Sequence, residues 1–172
     1  MISNAAWESL SNQAVAAAGV VYFLALLAHL VEWSALRRLP VAHEAKQPVG
    51  AGAPADALPP ADTAGTESAA QREAAQHRSA MFGRLGLLLT VLAAVVHFVA
   101  LLGRGLAADP IRVPWGNMYE FTLSGTFFVT LIFLVVRQRL RLAWMAPIVV
   151  GTVLTLLMID VIWLHEEVAP LT

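Results

Sequence analysis

Seven residues with usable chemistry, Arg104, Asp109, Arg112, Trp115, Asn117, Tyr119 and Glu120, fall within the seventeen positions 104–120. Guanidinium forks grip carboxylates through paired hydrogen bonds, and indole and phenol rings stack on the face of a flat macrocycle. The same residues have a plainer use. Trp115 and Tyr119 suit the boundary between lipid and water, and Pro114 followed by Trp115-Gly116 suits a turn. Asn117 then caps a helix, with Glu120 near its positive end. Residue types alone leave both uses open, and no nucleophile or acid–base pair is evident, so no catalytic residue is assigned.

The elements that position these groups follow from composition. The 172 residues are 58% apolar and only 13% charged, with a mean hydropathy of +0.67, which is too apolar for an ordinary soluble domain. Four apolar runs, Ala14 to Val31, Leu85 to Leu102, Met118 to Val136 and Leu142 to Leu164, are each near the ~20 residues that cross a hydrocarbon core. Backbone groups in lipid must bond internally, so each run is a helix. The expected fold is therefore all-α, an integral membrane bundle of four transmembrane helices. The first run is read as a retained span, because Glu8 and no basic residue precedes it and no small-residue cleavage pattern follows.

Orientation follows from the cations. Arg37, Arg38, Lys46, Arg72, Arg78, Arg84, Arg137, Arg139 and Arg141 fall on one side of the four spans, and only Arg104 and Arg112 on the other. Basic residues accumulate in cytoplasmic loops, so this nine-to-two split predicts that both termini and residues 103–117 lie outside. Trp7, Trp115, Tyr119 and Trp163 then mark the outer belt, with Trp33 and Trp144 the inner one. A net charge of -1 carries no electrostatic footprint for nucleic acid.

Three regions result: an outside N-terminus with the first helix at 1–38, a linker at 39–79, and a three-helix region with its outer loop at 80–172. The linker is rich in Ala, Pro and Gly, including Pro48, Pro54, Pro59 and Pro60, and lacks periodic large apolar residues. It is expected to be disordered and cytoplasmic, with a short helix over Glu67 to Arg78 as the one exception. His43 and His77 within it are not read as ligands. No Cys is present, which excludes disulfides, thiolate metal sites and thiol redox chemistry.

Polar residues inside spans are costly and mark sites or packing. Gly83, Gly86, Thr90, Ala93, Ala94 and His97 recur at helical spacing, a stripe of small residues that lets another helix approach with His97 on the same face. His97 is then either an imidazole bonded to a neighbouring helix or a metal ligand. Ala18, Tyr22, Ala25, His29 and Glu32 form a second stripe, in which His29 and Glu32 can pair locally. Asp160 lies close to the end of the fourth run, where it either snorkels to water or meets a partner.

Val113-Pro114-Trp115-Gly116-Asn117-Met118-Tyr119-Glu120-Phe121, preceded by His97 and Arg104-Gly105 and followed by Trp163-Leu164-His165, resembles the amino-terminal portion of the CcsB/CcsA (ResC) family of cytochrome c biogenesis proteins. The order of parts is also similar: an outside N-terminus, one span, a variable cytoplasmic linker, then three spans. The resemblance covers the chain outside the linker and implies the plasma (inner) membrane. It implies haem as cofactor, contacted by His97, Arg104, Trp115, Asn117, Tyr119 and Glu120, with His97 as the metal ligand. It further implies a ResB-type partner, an apocytochrome c substrate, and haem attachment as in a cytochrome c synthetase. The family's Trp-rich haem segment lies in later spans absent from these 172 residues, so the chain is expected to be a truncated or separately encoded front part. The competing expectation is a non-catalytic membrane scaffold or assembly subunit whose small-residue stripes bind partner helices.

Overall fold

The computed structural model describes residues 3–37, 61–140 and 142–164, with side chains described to residue 35 in the first segment and from residue 69 in the second. The chain is all α. Helices α1 (Asn4–Arg37), α2 (Ala61–Ala107), α3 (Met118–Arg139) and α4 (Ala146–Trp163) are joined, between α3 and α4, by a 3-10 turn over Leu142–Met145. All four are long and apolar enough to cross a membrane. His43, Arg38, Lys46, Arg141 and His165 fall outside the described residues, as does the linker from 39 to 60.

Two helices are longer than their apolar runs. At 34 and 47 residues, α1 and α2 measure about 51 and about 70 Å, well beyond a ~30 Å core. The part of the expected linker from residue 61 to 79 is thus helix rather than disordered chain. Its Ala, Gln, Glu and Arg residues are good helix formers, and they extend a span that is already helical, so no new nucleation is needed. At its other end α2 runs through Ala107, which shortens the α2–α3 loop to residues 108–117.

Lipid tails are as apolar as leucine, so these helices associate through close packing and polar contacts rather than through expulsion of water. The glycine stripe of α2 lies against α1. A Cβ on Gly86 would stand 2.7 Å from the His29 ring, and one on Gly83 2.5 Å from Glu32 Oε1. At the opposite end Gly103 faces Trp7 and Ser11, and Ser11 Oγ donates to Ala100 O at 2.8 Å. The two helices are therefore antiparallel and close along their whole shared length.

Buried positions recur at alternating steps of three and four in every helix. Those on this seam are Ser11, Val15, Ala18, Tyr22, Ala25 and His29 in α1; Thr90, Ala93, His97, Ala100 and Arg104 in α2; Leu123, Thr126, Thr130, Phe133 and Arg137 in α3; and Ala146, Val150, Val153, Leu157 and Asp160 in α4. This is the seven-residue period that keeps one seam of each helix facing the bundle. Val150 and Val153 pack with Ala18, Tyr22, Ala25 and Ala93, while Leu157 packs with Val15, Ala100, Tyr119 and Leu123 one layer along.

Candidate functional site

The seams of all four helices end in polar residues at the same end of the bundle. Arg104, in the last turn of α2, is fully buried there. Its Nε lies 3.5 Å from Glu120 Oε1 and its Nη1 3.7 Å from Glu8 Oε1, while its guanidinium carbon sits 4.6 Å from the centre of the Tyr119 ring. A guanidinium over an aromatic face is held by the ring quadrupole as well as by the carboxylates. Asp160 closes the cluster from α4; it is fully buried, with neither carboxylate oxygen hydrogen-bonded among the described residues.

The loop reaches this cluster because its first helical turn is built for it. Asn117 adopts an extended backbone (φ -141°, ψ 174°), and its Oδ1 accepts from Glu120 N at 2.8 Å, which caps α3. Glu120 in return accepts from Gly116 N at 2.7 Å through Oε2, a close relative of the reciprocal capping box. The other oxygen is left to face Arg104 and, at 3.7 Å, Arg112 Nη2. One carboxylate thus accepts from the backbone at the start of α3 and faces two guanidiniums.

Residues 111–116 lie back across α2 and α3 as a strap. Arg112 N donates to Gly105 O at 3.4 Å, Trp115 N to Val113 O at 2.8 Å, and Ser124 Oγ to Pro114 O at 3.1 Å. Two glycines make the fit possible: a Cβ on Gly105 would stand 2.8 Å from Arg112 O, and one on Gly116 2.6 Å from Arg112 Nη2. Beneath the strap is a cleft of about 330 Å³, lined among others by Phe98, Leu102, Arg112, Val113, Trp115 and Phe127. Phe98 and Phe127 stack in it with centroids 5.7 Å apart.

His97 stands one ring behind that cleft, edge-on to Phe127 at 5.7 Å. Its Nε2 lies 3.0 Å from Leu123 O, which only accepts, so Nε2 carries the proton. Its Nδ1 is 3.4 Å from Tyr22 Oη, which in turn is 3.2 Å from Thr130 Oγ1. Both ring nitrogens are occupied by protein groups. His29 behaves likewise at the far end, between Glu32 Oε2 at 3.1 Å and Thr90 Oγ1 at 3.3 Å, the local pair anticipated from their spacing. Among the described residues no group of three or more His, Cys, Asp or Glu side chains could hold a metal ion.

The structure gathers Arg104, Tyr119 and Glu120 into one buried cluster, puts Asn117 at the cap, and leaves Trp115 60% exposed at the mouth of the cleft. Tyr119 is 1% exposed and is not a belt residue: from the first turn of α3 its ring meets Arg104 of α2. Glu120 is equally enclosed rather than near the surface. Asp160 does not snorkel. Glu8 was missed as a partner of Arg104, yet it continues the α1 stripe, because 8, 11, 15, 18 and 22 keep the same three-and-four spacing. The cleft is apolar, with Arg112 the one charged residue in its lining among the described residues. Comparison with protein-family models, with curated proteins and with solved structures returns no match.

Proposed function

We propose that this chain is a cytochrome c-type biogenesis membrane protein of the CcsB/CcsA (ResC) kind, acting as the front half of a haem delivery and attachment factor. The observation that carries the reading is the strap. Val113, Pro114 and Trp115 of the motif cover an apolar cleft, and Gly116, Asn117 and Glu120 tie them to the first turn of α3. Phe98, Phe127 and Trp115 offer faces to a flat ring, and Arg112 stands at the rim where a propionate would lie. These residues suit contact with haem. Iron ligation by His97 requires its imidazole to leave Leu123 O or Tyr22 Oη, so its role in this reading is to support Phe127 unless those bonds open. The redox and ligand chemistry of the iron belongs to haem itself.

The nine-to-two split of basic residues supports an orientation with the strap on the outer face of the plasma (inner) membrane and both termini outside. That is the side on which a ResB-type partner and an apocytochrome c would be met. Purified chain incubated with haem is expected to give a Soret band that weakens when Trp115 is changed to Ala. A chain that stays colourless, and copurifies with other membrane subunits, would instead support a scaffold without cofactor.

A further inference from the structure

The opposite end of the bundle holds a second polar site that the reading above does not use. Arg137, in the last turn of α3, is 9% exposed, and among the described residues its guanidinium makes no hydrogen bond or ion pair. A buried guanidinium without a counter-ion is strongly disfavoured. It borders a cavity of about 340 Å³ whose wall also includes Glu32 of α1 and Gln76, Ser79, Gly83 and Arg84 of α2. The Glu32 carboxylate is held by His29 Nδ1 at 3.1 Å. Two guanidiniums against one carboxylate leave the cavity with a positive excess, and Gln76 and Ser79 add neutral donors.

We propose that this cavity binds a phosphate-bearing anion, with Arg137 and Arg84 gripping phosphate oxygens and Gln76 and Ser79 donating to the remainder. Two forked cations plus two neutral donors match an anion with several oxygens around one centre better than a carboxylate, which offers only two. The site also lies where such an anion is at hand. Ile132 and Val135, just before Arg137, are exposed apolar residues suited to lipid, whereas Arg139 and Trp144 just after it suit the boundary, so Arg137 sits at headgroup depth. Basic pockets between transmembrane helices at that depth take phospholipid headgroups. A soluble phosphate ester entering from the aqueous side carries the same chemistry.

The test uses the full chain in nanodiscs of phosphatidylcholine, with and without phosphatidylglycerol, and with inorganic phosphate titrated into the neutral discs. Thermal unfolding is expected at higher temperature with phosphatidylglycerol. Native mass spectrometry should show the anionic lipid bound with an affinity that falls about tenfold or more in Arg137→Gln and in Arg84→Gln. A response to inorganic phosphate in neutral discs, lost in the same variants, would support the site with a soluble ligand as its source. Arg84 is exposed, so Arg84→Gln decides the question if Arg137→Gln fails to accumulate. Equal unfolding temperatures under every condition, or a lipid effect undiminished in both variants, would overturn the proposal.

Discussion

Changing Glu120 to Gln isolates charge from shape. The amide keeps an oxygen to accept from Gly116 N, so the helix cap survives, while Arg104 and Arg112 lose the carboxylate now 3.5 and 3.7 Å away. At an effective dielectric of about 20, a unit pair at 3.5 Å attracts by about 5 kcal/mol before desolvation is counted. Removing one partner of a buried pair costs about 3–5 kcal/mol, because the other charge stays enclosed. Glu8 remains at 3.7 Å from Arg104 but is 27% exposed, and this partial compensation places the expected loss at the lower end, about 3 kcal/mol. Equilibrium unfolding in mixed micelles, followed by tryptophan fluorescence, reads the loss directly. The pair Arg104→Met with Glu120→Leu should recover only part of it, because Asp160 stays buried in the cluster, Arg112 loses its carboxylate and Gly116 N loses its acceptor. If Glu120→Gln unfolds within about 0.5 kcal/mol of the wild type, the burial argument for this cluster fails. Any effect of Glu120→Gln on cytochrome c maturation must be compared at matched protein level.

Other expectations follow from the same geometry. Gly86→Val should destabilise by about 1–3 kcal/mol in the same assay, because its Cβ would stand 2.7 Å from a buried ring, whereas Gly125→Ala, with nothing within 4 Å of the added carbon, should be neutral or stabilise by up to about 1 kcal/mol. Equal effects at the two glycines would refute the close approach of α1 and α2. Trp115→Tyr should lower the yield of holocytochrome c without lowering the amount of this protein in the membrane; a normal yield leaves Trp115 as a boundary anchor. In this Cys-free chain, a single Cys at position 109 should be labelled from outside and one at 139 only after the membrane is opened. The reverse pattern would invert the orientation drawn from the basic residues.

The fold class was legible because lipid imposes it: long apolar runs have no alternative to helix. The α2 stripe and the His29–Glu32 pair were legible for a different reason, since three-and-four spacing puts residues on one face whatever the solvent. The same spacing, followed further, reaches Glu8 along α1 and Arg137 along Leu123, Thr126, Thr130 and Phe133 in α3. Those two charges were hidden by their positions near span ends, where a cation or carboxylate normally turns to water. Tyr119 and Glu120 were hidden likewise, because a residue in the first turn of a helix sits at the boundary in height but can face inward in azimuth. Which of the two it does depends on the neighbour opposite, and Arg104 is a partner that one-dimensional patterns do not reveal. The extension of α2 to Ala61 rests on helix propagation, which composition suggests only weakly against a Pro- and Gly-rich background.

The polar contacts of α2 and α1 with α3 have a bearing on how the bundle is put together. Within the α1–α2 pair, glycines allow the close approach and Ser11 with Ala100 O, Tyr22 with His97 and His29 with Thr90 set the register. Across the boundary to α3, three separate levels are pinned: Arg104 with Glu120, His97 with Leu123 O, and Tyr22 with Thr130. Moving α3 by one helical turn, about 5.4 Å, breaks all three at once and leaves charged or polar groups facing lipid-like surroundings. Docking of the third helix therefore has a single stop along the axis.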